Sequence, residues 1–242
     1  MTPILELDGV QKAYGAITVA DRQSWSLADG EALGVLGPNG AGKTSMFNLV
    51  TGTIKVDGGT IRFDGQTITD WPAARRCRAG IARSFQVPQP FSGMTLFENA
   101  YVAATQGAGL SGQEANSVCL DVLTRTGLIR KANHLAGSLT LLERKRLELA
   151  RALCAKPKVL LLDEIAGGLT EKECHALIDT IREVRATGVS IVWIEHVVHA
   201  LLAVIDRLIV IDFGRKIAEG DPRTVMESRE VREIYLGIAA HG

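Results

Sequence analysis

No apolar run in this sequence approaches the roughly 18 residues that a membrane span needs. The longest greasy stretch, Val197 to Ile211, is broken by His199, Asp206 and Arg207, which argues against a chain that crosses a bilayer. The N-terminus MTPILELDGV lacks a basic segment and carries Glu6 and Asp8 where a signal peptide would be apolar, which argues against export. Net charge is also missing, since Lys+Arg 27 balance Asp+Glu 27. A neutral chain has no bulk electrostatic reason to coat nucleic acid or an anionic membrane. Cys77, Cys119, Cys154 and Cys174 form no C-x-x-C pair, so neither a zinc site nor a redox centre is indicated, and four buried, reduced thiols are expected.

What is present fits a folded chain with a sizeable core. Hydrophobic residues make up 46% and charged residues 22%, which excludes a disordered or low-complexity chain. The 242 residues, set against about 150 per domain, suggest one large domain or a core with a subdomain. Glycine is in excess, 25 residues against about 17 at average usage, implying many tight turns or close backbone approaches.

Short strand-like runs alternate with amphipathic helices, which predicts an α/β fold with a mainly parallel sheet. The predicted strands are Ile4 to Leu7, Ala32 to Leu36, Thr60 to Phe63, Ile81 to Phe85, Val159 to Leu162, Ser190 to Ile194 and Leu208 to Ile211. The clearest helix runs from Thr170 to Gly188. Thr170 and Glu173 form a capping box at its start, and Cys174, Leu177, Ile178, Ile181 and Val184 keep helical spacing. Between Val87 and Ala155 strand signals fade and helical ones take over, predicting a helical subdomain inserted into the α/β core. The expected division is a core of residues 1–86 and 156–220, a helical subdomain of 87–155, and a helical tail of 221–242.

The first chemical motif is Gly37-Pro-Asn39-Gly40-Ala41-Gly42-Lys43-Thr44-Ser45, which fits the P-loop pattern between the strand ALGVL and the helical run MFNLV. Its backbone N–H groups and the following helix N-terminus face phosphates, Lys43 neutralises the outer ones, and Thr44 offers a hydroxyl to Mg2+. The pattern arises by chance in roughly one chain of this length per hundred, so an ordinary glycine turn is a weak competitor. The second motif, Val159-Leu-Leu-Leu-Asp163-Glu164, is a buried strand ending in two carboxylates, a Walker B end. There Asp163 would hold the metal's water shell and Glu164 would polarise the attacking water. Gln86 and His196 each follow a predicted parallel strand, at the sheet edge where α/β folds bind ligands. A lone Gln is usually a solvated polar residue and a lone His more often a satisfied structural group than a catalyst; their order along the chain carries the weight.

In that order, Tyr14, the P-loop, Gln86, a signature helix, Asp163-Glu164 and His196, the chain resembles the ATP-binding subunits of ATP-binding cassette transporters over nearly its whole length. The stretches GPNGAGKTSMFNLVTG, GGTIRFDGQTI, GIARSFQ, FSGMTLFENAYVA, WIEHVV, GRKIAEGDP and IYLG look like the branched-chain amino-acid group within that family. The resemblance implies a P-loop NTPase core with an antiparallel β part at the N-terminus. It implies an ATPase peripheral to the cytoplasmic face of the membrane that powers import of branched-chain amino acids or related small solutes. ATP and Mg2+ are the implied ligands. The implied partners are permease subunits, a second cassette in a homo- or heterodimer, and, indirectly, a periplasmic or surface solute-binding protein; nucleic acid is not among them. By this resemblance Tyr14 stacks on adenine, Gln86 senses the γ-phosphate and metal, Glu164 is the base, His196 contacts the γ-phosphate, and Thr140 supplies the signature hydroxyl.

One departure is large. Where the family carries LSGGQ, alignment back from Arg146 to Leu153 places Leu139-Thr140-Leu141-Leu142-Glu143. Leu141 and Leu142 add bulk where backbone should approach a partner's nucleotide, and Glu143 brings a negative charge. Thr140 and Glu143 also read as a capping box, which serves the helix itself. The D-loop differs too, with Ile165 where Pro is usual and Thr170 where an acid or Asn is usual. Two other function classes therefore stand beside the transporter subunit: a soluble cassette ATPase acting on ribosomes or DNA, and a nucleotide-binding regulator with little turnover. The chain has no room for the tandem cassettes or long coiled-coil insertion typical of the former, and intact Lys43, Gln86, Asp163, Glu164 and His196 oppose the latter.

Overall fold

The computed structural model describes residues 2–236. Strands β1 (Leu5–Tyr14) and β2 (Ile17–Leu27) form an antiparallel hairpin. β3 (Ala32–Leu36) runs through the glycine-rich loop into α1 (Lys43–Thr51). β4 (Gly58–Phe63), β5 (Gln66–Thr67), α2 (Ala73–Ala79) and β6 (Ile81–Ser84) follow. Three helices come next, α3 (Leu96–Gln106), α4 (Gly112–Arg125) and α5 (Leu141–Cys154). The chain then alternates through β7 (Val159–Asp163), α6 (Glu171–Ala186), β8 (Ser190–Ile194), α7 (Val198–Leu202) and β9 (Arg207–Asp212). It continues through β10 (Arg215–Gly220), α8 (Pro222–Glu227) and α9 (Arg229–Leu236).

Two sheets result. One is antiparallel in the order β2-β1-β4-β5; the other has the order β10-β9-β3-β8-β7-β6 and is parallel except at its β10 edge. Alternation along the buried strands divides their side chains between two cores. Leu33, Val35, Val159, Leu161, Val192, Ile194, Ile209 and Ile211 face α1 and the antiparallel sheet. Leu36, Leu160, Leu162, Ile191, Trp193, Leu208 and Val210 face the other way, onto the Cys174, Leu177, Ile178, Ile181 and Val184 stripe of α6. A third core, around Leu96, Cys119, Leu123 and Leu147, belongs to α3, α4 and α5.

The parallel register positions the site. Val35 and Asp163 both lie beside Ile194, and Ser84 lies beside Leu162, so β3, β6, β7 and β8 end at one edge. The loops that leave this edge carry the P-loop, Gln86, Glu164 and His196.

Helix α6 starts as its sequence predicts, with the Thr170 hydroxyl accepting from Glu173 N–H and the Glu173 carboxylate accepting from Thr170 N–H. Gly188, at φ +90°, ends the run two residues after the last helical turn. The strands β2 and β10 and the second half of β1 lie outside the predicted set. Register shifts at Val10 and Lys12 break the alternation of β1, and ITVADRQSWSL and RKIAEG are too polar to read as buried runs. β6 stops at Ser84, leaving Phe85 exposed at the sheet edge. All four cysteines are free, but Cys77 is half-buried where full burial is expected. In the tail, residues 237–242, including the last residue of IYLG, lie outside the described residues.

Candidate functional site

The P-loop conformation depends on glycine at two contacts. A Cβ on Gly42, at φ +98°, would lie 2.2 Å from the Val19 carbonyl oxygen, and one on Gly37 would lie 2.2 Å from that of Ile211. The loop therefore packs directly on β2 and the end of β9, and only a residue without a side chain fits. Gly40, at φ +83°, makes the intervening turn beside exposed Asn39. Buried Ala41 offers its carbonyl to Gly214 N–H at 2.9 Å, so the β9–β10 turn braces the loop from behind.

Lys43 opens α1 almost fully buried, its Nζ donating to the carbonyls of Gly37 (2.7 Å) and Pro38 (2.9 Å). Burial holds its pKa below the usual lysine value, opposed by the charges of Glu164 and Asp163. Thr44 is exposed at the N-terminus of α1 and Ser45 is half-buried beside it. The helix start carries no acidic residue and no side-chain cap, so its N–H groups and positive dipole end suit an anion.

Asp163 ends β7 fully buried. Its Oδ2 lies 2.5 Å from Arg83, whose guanidinium also donates to Asn48 Oδ1 at 2.6 Å. Burial raises the Asp163 pKa, and the Arg83 hydrogen bond and charge oppose that rise. Its Oδ1 is buried without a hydrogen-bond partner among the described residues, an orphan of the kind that a metal or an ordered water satisfies. Glu164 follows at φ +47°, a strained region for a residue with a side chain. Both of its carboxylate oxygens are engaged: Oε1 lies 2.7 Å from His196 Nε2, and Oε2 accepts from the Gln86 side-chain amide. Glu164, Gln86 and His196 thus meet in one cluster, next to Lys43 and Asp163.

Among the described residues, Tyr14 and Thr140 make no hydrogen bond or ion pair with it. Tyr14 ends β1 as a residue 48% exposed, with the Lys12 ammonium 5.3 Å from its ring centroid, so it is not a core aromatic. Thr140 caps α5 on the surface. There the expected capping box forms, and the Glu143 charge gains a partner. Its Oε2 accepts from Thr140 N–H, and its Oε1 pairs with Lys131 Nζ at 2.5 Å. The Lys131 hydrogen bond, joined by those of Thr140, holds its carboxyl below the usual range. Leu141 remains half-exposed, whereas Leu142 is only partly so.

Three buried charges beside the cluster are absent from the sequence-derived set: Arg83, Lys145 and Glu195. Each had a signal, namely a charge inside or directly after an apolar run: IARSF for Arg83, SIVWI for Glu195, and the apolar face of α5 for Lys145.

A family model described as ABC transporter matches residues 20–167, and one described as branched-chain amino acid ATP-binding cassette transporter matches residues 215–241. The chain is 34% identical to the high-affinity branched-chain amino acid transport ATP-binding protein BraF of Pseudomonas aeruginosa, over 98% of this chain and 99% of that one. It is 35% identical to LivG of Escherichia coli, a protein of the same description, with the same coverage. Among solved structures, the ADP conformation of an ATP-binding cassette of an ABC transporter superposes with a TM-score of 0.88 at 29% identity, covering 98% of this chain and 100% of that one. The chain belongs to the ABC transporter family, as one of its ATP-hydrolysing ATP-binding cassettes.

Proposed function

We propose that this cassette powers import of branched-chain amino acids or related small solutes through a membrane permease, with Glu164 as the base that activates water. The observation that carries the catalytic part is the cluster itself: a carboxylate at a parallel-strand end, held by Gln86 and His196 beside a phosphate-binding loop. The full-length likeness to BraF and LivG, named for branched-chain amino acid transport, supports the solute class.

In this reading the N–H groups of Gly40 to Ser45 and the Lys43 ammonium bind the triphosphate, Lys43 exchanging the carbonyls of Gly37 and Pro38 for phosphate oxygens. Tyr14 stacks on the base. Asp163, Thr44 and Gln86 would hold Mg2+, which supplies charge neutralisation on the phosphates when bound; the unpartnered Asp163 Oδ1 and the exposed Thr44 hydroxyl fit such an ion. Arrival of the γ-phosphate draws Gln86 and His196 away from Glu164 and frees a carboxylate oxygen to take a proton from water.

The chain divides into the core of 1–86 and 156–220, the helical subdomain 87–155 and the tail from 221. A groove of about 410 Å3 between core and subdomain, lined by Cys77, Ile81, Phe85, Phe91, Val102 and Ala152, adjoins Gln86. An apolar helix of a permease seats there. Leu96 is fully buried in the helical core; Phe85, Val87 and Phe91, on either side of Gln86, are exposed apolar side chains. Among the described residues no helix is long and apolar enough to cross a membrane, and a position on the cytoplasmic face, docked on the permease beside a second cassette, follows from this reading. A solute-binding protein on the far side would deliver the cargo.

The test is ATP-driven uptake of labelled leucine, isoleucine and valine by vesicles holding the complete transporter. Uptake that needs internal ATP and is lost with Lys43→Ala supports the proposal. Uptake of an unrelated solute, with none of these three competing, overturns the solute class.

A further inference from the structure

Lys145 and Glu195, neither of them part of the reaction described above, are buried beside it with 5% and 0% of their surface exposed. Charged groups are rarely buried without close partners, so the atoms that satisfy them are informative. Lys145 lies on α5, five residues after Thr140, and its Nζ donates to the Glu164 carbonyl at 3.2 Å and the Gly167 carbonyl at 2.5 Å. Glu195 follows β8; its Oε1 accepts from Ala166 N–H at 2.6 Å, and its Oε2 accepts from the N–H groups of His196 (3.0 Å) and Val197 (3.2 Å). The turn 164–167 is thus gripped through two carbonyls by one buried charge and through an N–H by the other.

This turn is where the backbone is strained. Glu164 sits at φ +47°, its own N–H bonded to the Ile194 carbonyl at 2.9 Å. Such a conformation persists only where the surroundings over-determine it, and Lys145 on the Glu164 carbonyl and Glu195 on Ala166 supply that determination. Burial pushes the Glu195 carboxyl up, opposed by the N–H groups of Ala166, Val197 and His196 and by the Lys145 charge. Burial pulls Lys145 down, opposed by the charges of Glu195 and Glu164.

We propose that Lys145 and Glu195 are positioning residues for hydrolysis. Glu195 locks the turn that carries Glu164 to the segment that carries His196, and Lys145 ties that turn to α5. A shift of the Leu139–Glu143 segment therefore reaches Glu164 as a backbone displacement. The proposal rests on the reading of Glu164 as the base.

The experiment compares Lys145→Met, Lys145→Arg and Glu195→Gln in the assembled transporter, measuring kcat and KM for ATP per nucleotide-binding site together with the thermal midpoint. Gln at 195 cannot mimic the carboxylate, because either orientation sets its NH2 group against an N–H donor. Lys145→Met and Glu195→Gln should lower kcat by about tenfold or more with KM changed by less than about twofold, and Lys145→Arg should restore most of the rate. In a His196→Ala background, Glu195→Gln should cost little further, since the two act through one geometry. Should Lys145→Met fail to fold, Lys145→Gln, which removes the charge but keeps an amide NH2 donor group, takes its place with the same expected loss of kcat. Variants that lower the thermal midpoint while kcat stays at the parent value would overturn the proposal, as would an undiminished effect of Glu195→Gln without His196. Glu164→Gln turning over ATP at the parent rate in the same assay would instead sink the reading of Glu164 as the base, on which the proposal rests.

Discussion

His196 Nε2 stands 2.7 Å from Glu164 Oε1, and the Gln86 amide takes the other oxygen of the same carboxylate. A carboxylate engaged on both sides has one orientation, so under the proposed role of Glu164 as base, water activation waits on a change in its two neighbours. Replacing His196 with Ala should lower kcat by roughly 10²-fold, the scale of lost proton-transfer geometry, with ATP affinity nearly unchanged. Steady-state ATPase and nucleotide-binding assays on one preparation check this; parent-like kcat would remove His196 from the chemistry.

Arg83 and Asp163 form a buried ion pair, their side chains 5% and 1% exposed. Removing one partner leaves an uncompensated charge, which costs about 3–5 kcal/mol. Arg83→Met should lower the stability of the nucleotide-free chain by that amount in urea unfolding, and adding Asp163→Asn should recover most of it. A loss below about 1 kcal/mol, the scale of exposed pairs, would show that the pair is not insulated from water.

The altered signature predicts two unequal nucleotide sites when this chain pairs with a cassette that carries the full motif. Because Lys131 neutralises Glu143 locally, the steric bulk of half-exposed Leu141 outweighs the charge. Leu141→Gly should therefore raise the ATPase rate of the lone chain more than Glu143→Gln does, and the two together with Leu142→Gly should raise it further. Equal, negligible effects would make the segment a working variant.

Much of this site was legible in the sequence, and the legible parts share a cause. The spacing of Gly37, Gly42, Lys43 and Thr44 is fixed by phosphate geometry and sits between a strand and a helix that both have strong patterns, so loop and context read together. Asp163-Glu164 stood out because four apolar residues precede them. Arg83 and Lys145 were harder, because a basic residue in an amphipathic segment ordinarily points to solvent and a charge in an apolar run is a weak signal against that; the pairing of β6 with β7, and the contact of α5 with the turn after β7, settle that they point inward. The polar hairpin β1–β2 was missed in its second half because its bulges defeat period-two reading. The neutralisation of Glu143 depends on Lys131, twelve positions away across a loop, a pairing that local spacing does not specify.

Three helices, α3, α5 and α6, begin with Thr-x-x-Glu boxes whose carboxyls are all held below their usual value: Glu98 by Thr95 N–H and hydroxyl, Glu143 by Lys131, and Glu173 by Thr170 N–H and hydroxyl. A carboxyl with a depressed folded pKa stabilises above its unfolded value, near 4.5, and that contribution is lost as pH falls through the folded value. Urea midpoints should therefore drop as pH is lowered from about 6 towards 3.5. A variant carrying Glu98→Gln, Glu143→Gln and Glu173→Gln should show a shallower drop; an identical profile would mean that other carboxyls dominate.

The most direct test of the account is Glu164→Gln in the assembled transporter, followed by ATP binding and single-turnover hydrolysis. The account predicts parent-like ATP affinity with hydrolysis slowed by about two orders of magnitude or more, whereas Lys43→Ala loses binding itself. Hydrolysis by Glu164→Gln at the parent rate would contradict it.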